Sequence, residues 1–243
     1  MDVWLPAQYD AQPDLRCRVL YMHDAQNLFD PQLAYASQTW GVAETLSACS
    51  DLEPTIVVGI WNSPQRWRDY YPRSAFDRLE PKQRAAILEK LGGEPRSDQY
   101  VREIALKLKP FIDQTYRTRP AQADTLIAGS SMGGLVSLYA TQQHPTVFGG
   151  AACLSTHWPA GGNALVDALA DGLPAANTQR LYFDYGTETL DADYEPFQQR
   201  FDARLEAQGW DASHWITRKF VGAAHDETSW RSRLAIPLRF LLG

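Results

Sequence analysis

Two adjacent serines stand among glycines in "LIAGSSMGGLVSLYA", residues 126–140. A serine hydroxyl is set up for nucleophilic attack where a strand turns sharply into a helix, because the strained turn projects Oγ clear of the backbone. The residues two before and two after must then be small, since their backbones nearly touch. Ser131 meets this demand with Gly129 and Gly133. Ser130 would place Ala128 and Met132 there, and Met132 does not fit. The pattern therefore selects Ser131 as a nucleophile toward an acyl carbon; the bland alternative is a tight turn without chemistry. The backbone N–H of Met132 would face the developing oxyanion, helped by the partial positive charge of the helix N-terminus. A second N–H must come from a loop after an earlier strand. "YMHDAQNLF", residues 21–29, offers the backbone of Ala25 or Gln26.

A serine nucleophile needs a base, and the chain has five histidines. His23 ends a core strand and reads as shaping the oxyanion loop. His144 reads as a helix cap, His157 as a residue beside the pocket, and His214 as the start of a late strand. His225, in "VGAAHDETSW", lies between the last strand and the last helix, among small residues that let a ring turn inward. Order and position favour His225 as the base. The acid belongs after the preceding strand, in "LYFDYGTETLDADY". Asp184 is inside the strand and reads as a structural hydrogen-bond acceptor, and Asp193 as a helix N-cap. Asp191 and Glu188 remain in the loop. Asp191 is preferred and Glu188 is the alternative, the task being to fix the imidazole tautomer and stabilise the imidazolium.

These residues need a rigid frame. The strands read "RCRVLYMHD" (16–24), "PTIVVGIW" (54–61), "ADTLIAGS" (123–130), "GAACLS" (150–155), "RLYFDYG" (180–186) and "HWITRKFVG" (214–222). Several are continuous apolar runs, as strands covered on both faces should be. Helical patterns lie between them at 38–48, 98–116, 132–143, 163–171, 193–208 and 227–241. This alternation predicts an α/β fold, a mainly parallel sheet with helices on both faces, and "VWLPA" pairing antiparallel at its edge. A length of 243 residues fits a single domain, 1–243. Within it, residues 73–97 are polar and read as either a surface excursion or a lid.

Composition narrows the function classes. A net charge of −6 with scattered arginines gives no phosphate-tracking surface, so no nucleic-acid partner is expected. No apolar run is long enough to span a bilayer, so no membrane partner is expected. Cys17, Cys49 and Cys153 are odd in number, far apart and set in apolar stretches, which reads as buried thiols. No metal or other cofactor is expected, since no HxH or HExxH spacing occurs around His23, Asp24 or elsewhere. Without a visible signal peptide the expected location is cytoplasmic. The chain opens almost inside a strand, which suggests missing upstream residues and leaves secretion open.

The stretches "VLYMHDAQNLFD", "IVVGIWNSPQRWRDYYP", "GSSMGGLVSLYATQQHPTVFGG", "LSTHW", "YFDYGTETLDADY" and "GAAHDETSWRSRL" occur in one order along nearly the whole chain. In this the chain resembles the putative esterase family of α/β hydrolases, with its enterochelin esterase, esterase D and feruloyl esterase relatives. The resemblance implies the α/β-hydrolase fold and serine ester hydrolysis with Ser131 and His225. It further implies that Asn62, Arg66 and Tyr70 line the pocket, the alternative for Arg66 being a salt bridge to Asp69. Relatives usually carry Gly where Ala25 stands, and more sequence ahead of "VWLP". The resemblance does not choose between Asp191 and Glu188.

The expectation is thus a serine carboxylesterase acting on a small-molecule ester. The rivals are an acyltransferase with an alcohol acceptor, a non-catalytic binding protein on the same fold and, third, a metallohydrolase built on His23 and Asp24. Of the eight tryptophans, Trp40, Trp61, Trp67 and Trp158 fall in or beside the site loops. Trp61 and Trp158 are expected to wall the substrate pocket, the alternative being that such rings pack loops onto the core. The ester itself and the oligomeric state are not legible.

Overall fold

A computed structural model describes residues 1–243. Seven strands form one sheet: β1 (Asp2–Trp4), β2 (Arg18–His23), β3 (Thr55–Ile60), β4 (Thr125–Ser130), β5 (Gly150–Leu154), β6 (Arg180–Tyr185) and β7 (Trp215–Lys219). Their order is β1-β3-β2-β4-β5-β6-β7. β1 runs antiparallel to β3 and every other pairing is parallel. The expected edge strand and parallel centre are both present.

Alternate side chains of each central strand feed opposite apolar layers. Val19, Tyr21, Ile56, Val58 and Ile127 join one core with Leu135, Val136 and Leu165 from the helices over that face. Leu20, Met22, Val57, Leu126 and Ala128 join the other with Trp230, Leu234 and Leu238. β4 and β5 are buried along their whole length, which explains their unbroken apolar sequence. No helix is long and apolar enough to cross a membrane. The three cysteines are free and buried.

Two helices expected as single elements are interrupted, each at a proline. Residues 97–115 form a helix over Ser97–Glu103, a π turn over Ile104–Leu108 and a helix over Lys109–Thr115. Pro110 has no N–H to give to Leu106, and the wide turn accommodates its ring. The last helical pattern divides into Glu227–Arg233 and Ala235–Leu242, and Pro237 removes the bond that would have joined the two to Arg233.

Residues 73–97 carry two helices, Arg73–Asp77 and Pro81–Leu91. A reciprocal capping box between Glu80 and Gln83 starts the second, and Gly92, at φ 72°, ends it. Phe76, Leu79 and Leu91 from this segment are part of the larger apolar core. Its outer face carries ion pairs, Arg73 with Glu94 and Arg78 with Asp171.

Candidate active site

The nucleophile candidate stands where β4 meets the helix Met132–Gln143. Ser131 has φ 58° and ψ −122°, a strained conformation for a residue with a side chain. Four backbone bonds hold it there. Its N–H donates to Leu154 O at 2.9 Å, and its carbonyl accepts from Gly134 N at 3.1 Å, His157 N at 3.2 Å and Leu135 N at 3.3 Å. A Cβ on Gly129 would fall 2.8 Å from the backbone of Gly133, so contact requires glycine at 129, whereas a Cβ on Gly133 would meet nothing closer than Asp24 Oδ2 at 3.5 Å. Met132 is the first residue of the helix, and a first-turn N–H has no intrahelical acceptor.

His225 lies in the turn after β7, just before the helix Glu227–Arg233. That helix is capped by Asp226, whose carboxylate accepts from Ser229 N at 2.7 Å. His225 N donates to Thr189 Oγ1 at 2.8 Å, and its Nδ1 lies 2.6 Å from Asp191 Oδ1. A carboxylate only accepts, so Nδ1 carries the proton and Nε2 is left with a free lone pair. Asp191 Oδ2 accepts from Ser155 Oγ and from Gly186 N, both at 2.6 Å. Burial pushes the Asp191 carboxyl up, but the bonds from His225, Ser155 and Gly186 outweigh it and hold the group below its ordinary value. Glu188 is exposed, and its carboxylate bonds only its neighbour Thr187. The structure brings Asp191, and not Glu188, to His225. Asp193 does not cap the following helix. That position is Tyr194, because Pro196 fixes the first turn of Glu195–Ala207 one residue later than expected.

On the other side of Ser131, β2 ends at His23, and Asp24 takes a left-handed turn, φ 57°, into a 3-10 turn over Ala25–Asn27. The first bonded N–H of that turn is Asn27, to Asp24 O at 2.9 Å. The N–H groups of Ala25 and Gln26 precede it and are therefore unspent within the turn. The Ala25 methyl faces β3 at Gly59, where a second Cβ would fall 2.9 Å from it. An alanine is accommodated at position 25 because position 59 has no side chain.

Asp24 is the anchor of this loop. Its carboxylate receives Arg66 Nε and Nη2, both at 2.7 Å, Asn62 Nδ2 at 2.6 Å and Tyr70 OH at 3.2 Å. Burial pushes this carboxyl up too, and Arg66 and Asn62 bring it below its ordinary value. Arg66 thus pairs with Asp24 rather than with Asp69, which is held by Ser63 Oγ at 2.6 Å and Arg96 at 3.5 Å.

A cavity of about 320 Å³ joins the two sides. Ser131, His225, Gln26, Asn62 and Arg66 line it, together with Asp24, Asn27, Tyr35, Glu227 and Trp230. Of the last five, only Asp24 was weighed from sequence, as a metal ligand with His23, although all but Tyr35 lie in stretches that carried the family pattern. Burial, followed by the neighbouring Asp226, raises the Glu227 carboxyl.

The expected tryptophan wall is not there. Trp158 is fully buried, donates its indole N–H to Gln198 Oε1 at 2.9 Å, and packs on Phe183 and Phe201. The 3-10 turn Trp158–Ala160 folds this ring inward, into the core, so its assignment to the substrate pocket is corrected. Trp61 is exposed, bonds Asp2 at 2.7 Å and does not line the cavity. Trp40 is buried against Trp230. Trp67 stands edge-on to His157, with the Lys90 ammonium 5.7 Å from its ring centre. His157 bonds Tyr194 OH, its ring 6.5 Å from that of His225. Burial, then the neighbouring His225, lowers His157 to about 4. His23 bonds Tyr100 OH at 2.8 Å and is lowered to about 4, chiefly by burial. His144 is the C-cap of the helix Met132–Gln143.

A family model described as putative esterase matches residues 1–241. No curated protein matches the chain in sequence. Among solved structures, an IroE-like serine hydrolase from Shewanella oneidensis aligns with TM-score 0.76 at 19% identity, over 99% of this chain and 74% of that one. The siderophore hydrolase EstA from Aspergillus nidulans aligns with TM-score 0.70 at 16% identity, over 99% and 89% of the two chains. The enterobactin esterase FES from Shigella flexneri, solved with enterobactin, aligns with TM-score 0.72 at 18% identity, over 98% of this chain and 53% of that one. At these identities the likeness carries the fold, which is that of the α/β hydrolases.

Proposed function

The chain belongs to the putative esterase family, and on that premise we propose that it hydrolyses carboxylic esters with Ser131 as nucleophile, His225 as base and Asp191 as acid. The observation that carries this reading is the placement of a strained Ser131 and of His225 on one cavity, with His225 Nδ1 2.6 Å from a buried carboxylate. Ser131 Oγ attacks the ester carbonyl carbon while His225 Nε2 takes its proton. The carbonyl oxygen becomes an alkoxide, held by the N–H groups of Met132 and of Ala25 or Gln26. The intermediate collapses, the C–O bond to the alcohol breaks, and His225 returns the proton to that alcohol. Water, deprotonated by His225, then attacks the acyl-enzyme and releases the acid. Asp191 holds the ring tautomer and stabilises the imidazolium formed in each half.

The lining supports a polar substrate. Asp24, Gln26, Asn27, Asn62, Arg66 and Glu227 present hydrogen-bonding groups, with Tyr35 and Trp230 as aromatic faces. Such a wall suits an aryl ester bearing hydroxyl or amide groups better than a long aliphatic acyl chain. The test is hydrolysis of short aryl acetates by the protein and by Ser131→Ala. We expect the variant to lose roughly 10⁴-fold or more in kcat. Equal rates would reject the assignment. A fluorophosphonate should label the parent at Ser131 and leave the variant unlabelled.

A further inference from the structure

Beneath the Asp191–His225 pair lies a closed set of buried groups that the proposed mechanism does not use. Ser155, in the turn just after β5, has φ 42° and is fully buried. Its Oγ lies 2.6 Å from Asp191 Oδ2, 2.9 Å from Trp230 Nε1 and 3.0 Å from Arg233 Nη2. The indole and the guanidinium can only donate. A hydroxyl has two lone pairs and one proton. Both lone pairs are therefore taken, and the single proton has one acceptor left, Asp191 Oδ2.

Arg233 is itself immobilised. Its Nε and Nη2 reach Asp184 Oδ2 at 3.1 Å and Oδ1 at 2.9 Å, and its guanidinium lies 4.9 Å from the centre of the Phe220 ring. Asp184 also accepts from Ser155 N at 3.1 Å and Tyr182 OH at 3.0 Å. Burial pushes the Asp184 carboxyl above its ordinary value, but all four groups around it are donors, which oppose that push and favour the ionised carboxylate. The fixed charge of Arg233 is thus balanced by Asp184, and one of its N–H groups is spent on Ser155. Trp230 and Arg233 sit on the helix that begins two residues after His225, so one short stretch of chain supplies both the base and the groups that orient Ser155.

We propose that Ser155, oriented by Trp230 and by the Arg233–Asp184 ion pair, is a positioning residue that keeps Asp191 ionised and aims its Oδ1 at His225 throughout turnover. The inference rests on the reading of Asp191 and His225 as acid and base. It predicts a dependence that plain structural support would not produce. Without the Ser155 proton, Oδ2 keeps only Gly186 N–H. The carboxylate charge is less dispersed and favours the imidazolium more strongly.

Ser155→Ala should therefore move the acid limb of the kcat/KM–pH profile to higher pH, by roughly half a unit to one unit. It should lower the plateau roughly tenfold through looser aim of the ring. The other groups around the ring remain in place: Tyr194 and His157 on one side, Asp226 and Glu227 on the next helix, and Arg66 with Asp24 across the cavity. Ser155→Cys, which keeps a weaker donor, should recover part of the shift; it also serves if the alanine variant folds poorly by circular dichroism. A parallel arm needs no turnover. In a Ser131→Ala background the downfield proton resonance of His225 Nδ1–H, identified by its loss in His225→Ala, should move when Ser155 is replaced. An acid limb and a resonance both unmoved in a folded Ser155 variant would overturn the proposal. If instead Ser131→Ala retained full activity, the esterase reading would fail, and the resonance alone would decide the role of Ser155.

Discussion

Asp24 and Asp191 are both buried, and each follows a strand of the same sheet, β2 on one side of β4 and β6 on the other. Both collect several donors, and both are held below the ordinary carboxylate value against the upward push of burial. They differ in the partner that matters. Asp24 faces a guanidinium, which keeps its charge at every accessible pH. Asp191 faces an imidazole, a group that can take up and release a proton. The first arrangement is a permanent clamp on the loop that offers Ala25 and Gln26. The second can strengthen when a positive charge appears and relax when it leaves. One residue type serves structure or chemistry according to whether its counter-charge can titrate.

That contrast is broken most severely at Asp191. In Asp191→Asn the amide oxygen would be drawn toward Ser155 Oγ–H and Gly186 N–H, turning the amide NH₂ toward His225. The ring then carries its proton on Nε2 and cannot accept one from Ser131. We expect kcat to fall about 10⁴-fold, with only a modest loss of stability. Glu188→Gln should leave kcat within about twofold, since surface changes of this kind are near neutral. Steady-state kinetics at matched folding decides between them, and a dead Glu188→Gln with an active Asp191→Asn would reverse the assignment.

The clamp should respond the other way. Asp24→Asn leaves Arg66 beside a neutral amide at a largely buried position. Because the Arg66 side chain keeps 24% of its surface exposed, we expect a loss of about 2–3 kcal/mol rather than the full cost of orphaning an enclosed charge. The kcat should fall only about tenfold, through a looser oxyanion loop. Urea midpoints and kinetics on one preparation test this. A large rate loss with unchanged stability would mean that Asp24 acts on substrate rather than on the loop.

The chain disclosed the two sides unequally. Strand and helix order was readable because β2, β4 and β5 are continuous apolar runs and the helices between them keep their period. The places where helices break follow from Pro110 and Pro237, local signals that the periodicity masked. Ser131 was legible because the close approach of Gly129 to the Gly133 backbone is steric and lies within five residues. Asp24 as the partner of Arg66 was not, since they are 42 residues apart and Asp69 is nearer in the chain. Ser155 was invisible for the same reason. Its three partners come from residues 191, 230 and 233, and only the sheet brings them together. Trp158 misled because tryptophan suits a pocket wall and a core equally well, and the inward fold of its turn decides between them.

The smallest expected effect sharpens the comparison through pH. Each side keeps one histidine neutral: His23 behind the oxyanion loop on Tyr100, and His157 beside His225 on Tyr194. Both are lowered to about 4, burial being the larger cause in each. Between that value and the ordinary 6.5, the unfolded chain binds a proton at these positions and the folded chain does not. Stability from this source is therefore full above 6.5 and declines as pH falls toward 4, on the order of 2–3 kcal/mol for each ring. Asp24 and Asp191, held down, keep their contributions until lower pH. Asp202, pushed up to about 6 by burial, works in the opposite direction within the window, so parent and variant must be compared at each pH. Urea midpoints at pH 7 and 4.5 should converge for His23→Gln and His157→Gln relative to the parent, with the larger share from the more deeply enclosed His23. An unchanged difference in both variants would mean that the two rings do not hold their protons off in the folded chain, and the clamp and the acid–base side would then lose stability on acidification for some other reason.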